Sequence, residues 1–319
     1  MKIVITLGGN ALLRRGEALS ADNQRRNIEV AAQALARLAA KHDLVLSHGN
    51  GPQVGLLALQ NEAYARENPA VPAYPFDVLG AESQAMVGYM FAQALSRALQ
   101  TVGSDRPVAS ILTQSEVDPD DPAFENPTKF IGAMMTKTEA KEAERAHGWR
   151  VKQDGKGYRR VIASPRPLRI VEFPVIKNLV DTGTLVISCG GGGVPVIKSE
   201  KGLQGVEAVI DKDFAGSILA TELSADLLLI ATDVDGVYEN WGTSQQRRIG
   251  RITPQKLLQM GFAAGSMGPK IEAACQFVLK TGCPAAIGSL DRIVVELGRG
   301  RGISNLDKKA RITRPAPLI

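Results

Sequence analysis

Three apolar runs in this 319-residue chain end in glycine. Residues 2–7 run into Gly8, Gly9 and Asn10. Residues 43–47 run through His48 into Gly49, Asn50, Gly51 and Pro52. Residues 185–188 run into Cys189 and four successive glycines, Gly190 to Gly193. A strand that breaks at glycine and restarts as a helix leaves backbone N–H groups free at the helix N-terminus. Those donors, backed by the helix dipole, attract anions. Pro52 suits the first turn of such a helix. One such turn alone fits an ordinary strand-to-helix connection equally well. Three of the same kind point to a crevice for a phosphorylated ligand.

A second set of residues carries positive charge to loop breaks. Lys129 follows Asn126, Pro127 and Thr128, Lys212 lies between Asp211 and Asp213, and Lys270 follows Gly268 and Pro269. At a helix start the Lys270 cation opposes the dipole, so its position asks for a nearby anion. Each lysine alone fits a solvated surface. Together with the glycine turns they fit phosphoryl transfer. That reaction needs aligned donor and acceptor oxygens, with positive charge on the equatorial ones supplied by lysines, backbone N–H groups and Mg²⁺. Asp213 then need not be a base. Held between lysines, it fixes their positions and keeps them protonated.

The commoner motifs are absent. A dinucleotide fingerprint starting at Gly49 requires glycine where Val54 stands. The run from Gly265 to Lys270 has the wrong spacing for a P-loop, and Ile271 follows the lysine. His42, His48 and His147 are the only histidines, and no pair of them has helical ligand spacing. His48 fits either a catalytic role or a hydrogen bond that fixes its turn. Three cysteines without CxxC spacing exclude a disulfide framework and a zinc knuckle. Net charge is +5 and the pI about 9.1, but basic residues are dispersed and aromatics make up only 5%. This favours small anionic ligands over nucleic acid. There is no apolar run long enough to span a bilayer and no signal-peptide pattern, so the expected setting is the cytoplasm.

The positioning elements follow from periodicity. Residues 23–40, 52–67 and 81–100 read as helices and 108–113 as a strand. At Asp118 the texture changes, with Pro119, Pro122 and Pro127 breaking structure. A charged helix over 138–147, capped by Thr138, and a hairpin turning at 154–157 follow. Residues 118–167 thus read as an inserted lid subdomain. Beyond it, 175–180 and 213–223 read as helices and 184–188 as a strand. Short strands are expected at 194–198 and 205–210. The run 226–232 is a strand with its exit turn at Asp233 to Tyr238. Residues 254–260 and 269–281 are helical, and 285–287 form a late strand. Alternating strands and helices imply an α/β fold, an open, mainly parallel sheet between helix layers. Such sheets bind ligands at the carboxyl ends of their strands, where these turns lie.

Six segments, in order and covering nearly the whole chain, resemble carbamate kinases. They are residues 7–11, 47–55, 126–129, 188–193, 209–215 and 265–274. The resemblance implies the amino acid kinase fold as a single domain over 1–319. Its N-terminal lobe, 1–200, would bind the acceptor and carry the lid, and its C-terminal lobe, 201–319, would bind the nucleotide. It further implies a homodimer and reversible, Mg²⁺-dependent transfer between ATP and carbamate, giving ADP and carbamoyl phosphate, commonly within arginine breakdown. By position, Gly8, Gly9 and Asn10 would hold the transferring group, and Gly49, Asn50 and Gly51 the carbamate. Lys129 would reach in from the lid, Lys212 and Lys270 would neutralise the phosphates, and Asp213 would organise the lysines. Asp233, Asp235, Val237, Tyr238, Gly265 and Met267 would border the nucleotide. Metal ligands are unassigned. Where carbamate kinases usually read Pro-Ile-Gly-Pro after the lysine, this chain has Phe130, Ile131, Gly132 and Ala133.

Overall fold

The computed structural model describes residues 1–9, 12–14, 16–262, 267–290 and 310–312. Its centre is the strand Lys2–Leu7, five of whose six residues are buried. This strand pairs in parallel with Leu227–Ala231 on one side and Asp43–His48 on the other. Among the described residues eight strands form the sheet, in the order Arg251–Ile252, Ala310–Ile312, Ala285–Gly288, Leu227–Ala231, Lys2–Leu7, Asp43–His48, Leu185–Ile187, Val108–Ser110. Only the pairing of Ala285–Gly288 with Ala310–Ile312 is antiparallel. The strands read as continuous apolar runs because helices cover both faces.

Alternation along the central strand sends its side chains to two different layers. Ile3, Ile5 and Leu7 pack with residues of the helices Ala21–Ala39 and Phe76–Thr101. Val4 packs instead with residues of Phe173–Asp181, Lys212–Glu222 and Met267–Thr281. Thr6 shares the Val4 face and is the strand's one buried polar side chain. Opposite it stands Gly216, where a β-carbon would meet Thr6 Cγ2 at 2.3 Å. Glycine there lets the Lys212–Glu222 helix come down onto the strand.

A second sheet of four strands, ordered Gly202–Gly205, Val194–Ser199, Gln114–Val117, Pro167–Ile170, flanks the first. The inserted unit is a three-stranded antiparallel sheet, Lys129–Met135, Gly157–Ile162 and Arg150–Asp154, with the helix Lys137–His147. Pro167, expected at the end of the lid, already belongs to the second sheet. Arg160 ties the insert to the body. Its guanidinium lies 4.9 Å from the Phe76 ring and 4.5 Å from the Trp149 ring, and bonds Glu207 at 2.8 Å.

The structure moves several expected boundaries. The charged helix is capped by Thr136, not Thr138, because Thr136 and Glu139 exchange the reciprocal bonds of a capping box. The helix expected from 81 starts at Phe76, whose N–H is accepted by the Glu207 carboxylate 131 residues away. The hairpin partner of Val194–Ser199 is Gly202–Gly205, while 206–210 is irregular apart from one bridge between Ala208 and Ala163. The 108–113 strand ends at Ser110.

The four-glycine turn is packed to the limit. Gly192 has φ +98°, and a β-carbon on it would lie 2.7 Å from both Cβ and the carbonyl oxygen of Ile210. Left-handed strain and overpacking each cost about 1–3 kcal/mol. Gly192→Ala is therefore expected to lose about 3 kcal/mol or more of stability, read as a lower urea midpoint at unchanged slope.

Candidate active site

Asp213 is the most enclosed charged residue of the site, with 0% of its surface exposed. Its Oδ1 accepts from Thr6 Oγ1 at 2.7 Å and from Lys212 Nζ at 2.9 Å. Its Oδ2 accepts from Lys270 Nζ at 2.9 Å. Three elements meet here: the central strand, the start of the Lys212–Glu222 helix, and the first turn of Met267–Thr281. Asp211 caps the Lys212–Glu222 helix, its Oδ1 accepting from the Asp213 N–H at 3.0 Å. Its Oδ2 accepts from Lys129 Nζ at 3.2 Å, which links the insert to the body.

The electrostatics of this group follow from burial and pairing. Burial by itself would raise the Asp213 carboxyl, but Lys212 and Lys270, with bonds from Lys212 and Thr6, hold it well below the usual carboxylate range. Burial also lowers Lys212, against the pull of Asp213. For Lys270 burial is outweighed by Asp213, Asp211 and Asp233, and its affinity for the proton rises. Asp213 is ionised at neutral pH, and both its oxygens are occupied by donors.

Two glycine turns lie beside this group at the carboxyl edge of the sheet. The Gly8 N–H continues the ladder to Ala231 O at 3.1 Å, and the Gly49 N–H to Leu7 O at 3.0 Å. A β-carbon on Gly8 would sit 3.2 Å from Ala231 O, and one on Gly49 3.4 Å from the Gly9 nitrogen. At Gly8 the added carbon would crowd the neighbouring carbonyl, while at Gly49 it would make ordinary contact. The helix Gly51–Glu67 starts at once, with Pro52 in its first turn. Asn50 does not cap it; its Nδ2 donates to Ser83 Oγ at 2.8 Å. The first-turn N–H groups remain available to a ligand.

The four-glycine turn supports this arrangement from behind. A β-carbon on Gly191 would lie 2.3 Å from Asn50, and one on Gly190 2.6 Å from the His48 ring. His48 is buried, stacked on Phe91, with Nδ1 3.0 Å from the Gly49 carbonyl, which can only accept. Burial pulls its pKa down to about 4, so the ring is neutral. Of the two sequence readings of His48, the geometry fits the one that fixes the turn.

These parts border one cleft of about 1630 Å³. Gly8, Gly9, Gly49, Asn50, Gly51, Lys129, Lys212, Asp213, Asp233 and Lys270 all line it. Four other expected site residues do not. Val237 is fully buried in the core. Asp235 receives the Tyr238 hydroxyl and Arg248 Nη1, an arrangement that fixes the exit turn. Tyr238 also stacks edge-on with Trp241. Met267 is half-buried at its helix start, packed against the core. Asn10 and Gly265 lie outside the described residues.

Sequence reasoning gave Thr6 and Asp211 no part in the site, though each left a signal. Thr6 is the lone hydroxyl in an apolar strand, and Asp211 has the residue type of a helix cap. Arg166 was also missed. It lines the cleft, its guanidinium 3.6 Å from the Phe214 ring centroid and bonded to both Glu272 oxygens at 2.8 Å.

A parallel sheet with anion turns and linked lysines at its carboxyl edge defines a kinase-type site. The model of the amino acid kinase family matches residues 1–289, and the chain belongs to that family. Its relatives are carbamate kinases. That of Rhizobium meliloti (strain 1021) is 51% identical over 310 residues, 96% of this chain and 94% of the relative. That of Escherichia coli (strain K12) is 54% identical over 291 residues, 91% and 94%. The solved carbamate kinase from Giardia lamblia bound to AMP-PNP is 41% identical, with a TM-score of 0.89 over 98% of both chains.

Asp213→Asn leaves two lysines without their counter-charge. Breaking a buried pair from one side costs about 3–5 kcal/mol, and the cleft-facing lysines favour the lower end. A fall of about 3 kcal/mol in urea stability at neutral pH is expected. Because the folded carboxyl is depressed, its contribution is present above the ordinary value of 3.8 and disappears as pH falls below it. The wild-type and variant midpoints should therefore converge on acidification.

Proposed function

We propose that the chain transfers a phosphoryl group reversibly between ATP and carbamate, giving ADP and carbamoyl phosphate. The observation that carries this reading is the convergence of Lys129, Lys212 and Lys270 on one cleft with the Gly8–Gly9 and Gly49–Gly51 turns. Membership of the carbamate kinases supports the choice of acceptor.

In the forward step a carbamate oxygen forms a bond to the γ-phosphorus while the bond to the ADP oxygen breaks. The carboxylate of carbamate is already ionised, so no base is required. Asp213, with both oxygens taken by donors, acts as the organiser of the lysines. Lys212 and Lys270 meet the charge that spreads over the equatorial oxygens of the loose transition state. Gly8, Gly9 and Asn10 cradle the transferring group, Gly49, Asn50 and Gly51 hold the carbamate, and Lys129 closes the site from the lid. Asp233, at the end of the Leu227–Ala231 strand, borders the nucleotide phosphates, and Asp235, Val237 and Tyr238 shape the turn behind it. The lobe over 1–200 serves the acceptor and that over 201–319 the nucleotide.

The described residues include no group of three or more His, Cys, Asp or Glu suited to hold a metal. Mg²⁺ would enter with the nucleotide, since this ion typically uses one or two carboxylates plus phosphate oxygens. Asp233 in the cleft is the fitting carboxylate. Bound there, the ion would neutralise phosphate charge. No helix among the described residues is long and apolar enough to cross a membrane. A cytoplasmic homodimer serving arginine breakdown completes the proposal.

The test is ATP formation from carbamoyl phosphate, ADP and Mg²⁺. Wild type should make ATP, and Lys212→Ala should still fold but lower turnover by about 10² or more, the effect of losing one charge-stabilising donor, with a lower urea midpoint because Asp213 loses one of its two lysines. Near-normal turnover in the variant removes Lys212 from the mechanism. No ATP from wild type that binds ADP means a different acceptor.

A further inference from the structure

We infer that Asp211 is a second organising carboxylate, a positioning residue that sets Lys129 over the cleft just as Asp213 sets Lys212 and Lys270. The inference rests on the phosphoryl-transfer reading above, in which Lys129 acts from the lid.

The two oxygens of Asp211 have separate duties. Oδ1 accepts from the Asp213 N–H at 3.0 Å and caps the helix that presents Lys212 and Asp213. Oδ2 accepts from Lys129 Nζ at 3.2 Å, across 82 residues of sequence. Lys129 is the first residue of the lid strand Lys129–Met135. Its side chain is 45% exposed and that of Asp211 18%, so the anchor is the better-fixed partner. Both line the cleft.

A lysine ammonium has three N–H donors. One bond to Asp211 fixes where the nitrogen sits and leaves two donors for phosphate oxygens. The alternation Asp211, Lys212, Asp213 is then one device. Its carboxylates occupy the cap and second position of a single helix, and between them they hold three lysines from three parts of the chain. Ordering the long Lys129 side chain before substrate arrives removes part of its rotamer cost from the reaction itself. The same bond holds the start of the lid strand against the body.

Asp211→Asn separates the two duties. Asparagine caps helices as well as aspartate does, and its amide oxygen can still accept from the Asp213 N–H. It provides no carboxylate for Lys129. The measurements are steady-state ATP formation from carbamoyl phosphate and MgADP, urea unfolding and native-state hydrogen exchange. They compare wild type, Asp211→Asn, Lys129→Ala and the double variant. Asp211→Asn is expected to keep the urea midpoint, lower kcat about tenfold with little change in KM for ADP, and speed exchange in the 129–135 strand but not in the 212–222 helix. In the Lys129→Ala background it should change kcat less than twofold. An equal drop in that background would mean that Asp211 acts through Lys212 or Lys270, and would overturn the inference. So would wild-type kcat in Asp211→Asn, or unchanged exchange in the lid strand. Absence of ATP formation in wild type would instead defeat the phosphoryl-transfer reading, and the exchange result alone would then decide whether Asp211 positions the lid.

Discussion

The arrangement depends on one buried carboxylate that holds two ammonium groups. Asp213 can be ionised inside the protein only because Thr6, Lys212 and Lys270 donate to its two oxygens. The lysines in turn stay charged close to one another only because Asp213 lies between them. Neither half is stable alone, which fixes the separation of the two cations in the wall of the cleft. Pairing of this kind contributes little net stability, since desolvation offsets much of the attraction. Its return is geometry: two positive charges held in place before any substrate arrives.

Much of the surrounding fold can be understood as bringing that carboxylate to its partners. The buried part of the central strand is apolar except for Thr6, and Gly216 lets the helix carrying Asp213 descend to it. Parallel pairing places the Gly8 and Gly49 turns at the same edge of the sheet. The four-glycine turn closes the space behind Asn50 and His48 so tightly that no side chain fits. The insert joins this rigid base through Arg160, wedged between Phe76 and Trp149, and through the Lys129–Asp211 bond. A base with no room to relax and a lid tied to it by polar bonds and by Ile131 and Ile162 packed against Val54, Phe76 and Leu79 suit a reaction whose demand is alignment.

The sheet and the main anion site were legible in the sequence because they are local. Continuous apolar runs ending in glycine name strands and their turns, and Lys212 and Asp213 are neighbours in the chain. What stayed hidden was set by distant partners. The start of the Phe76 helix depends on Glu207, and the charged helix is fixed by the reciprocal Thr136–Glu139 bonds rather than by the nearer-looking Thr138. Thr6 looked like one more strand residue, because only the fold brings Asp213 opposite it. Val237, Asp235 and Tyr238 lie in a turn that reads as ligand-facing, yet the structure uses them to build the turn itself. A turn's residue types say that the chain reverses there, not which of its side chains point inward.

The most direct test of the lysine pair is a crystal structure with MgADP, aluminium fluoride and carbamate, a mimic of the transferring phosphoryl group. The account predicts that Lys212 and Lys270 each donate to a fluoride while keeping their bonds to Asp213, with the aluminium between the Gly8–Gly9 and Gly49–Gly51 turns. An aluminium fluoride bound elsewhere in the cleft, with both lysines still facing only Asp213, would contradict it.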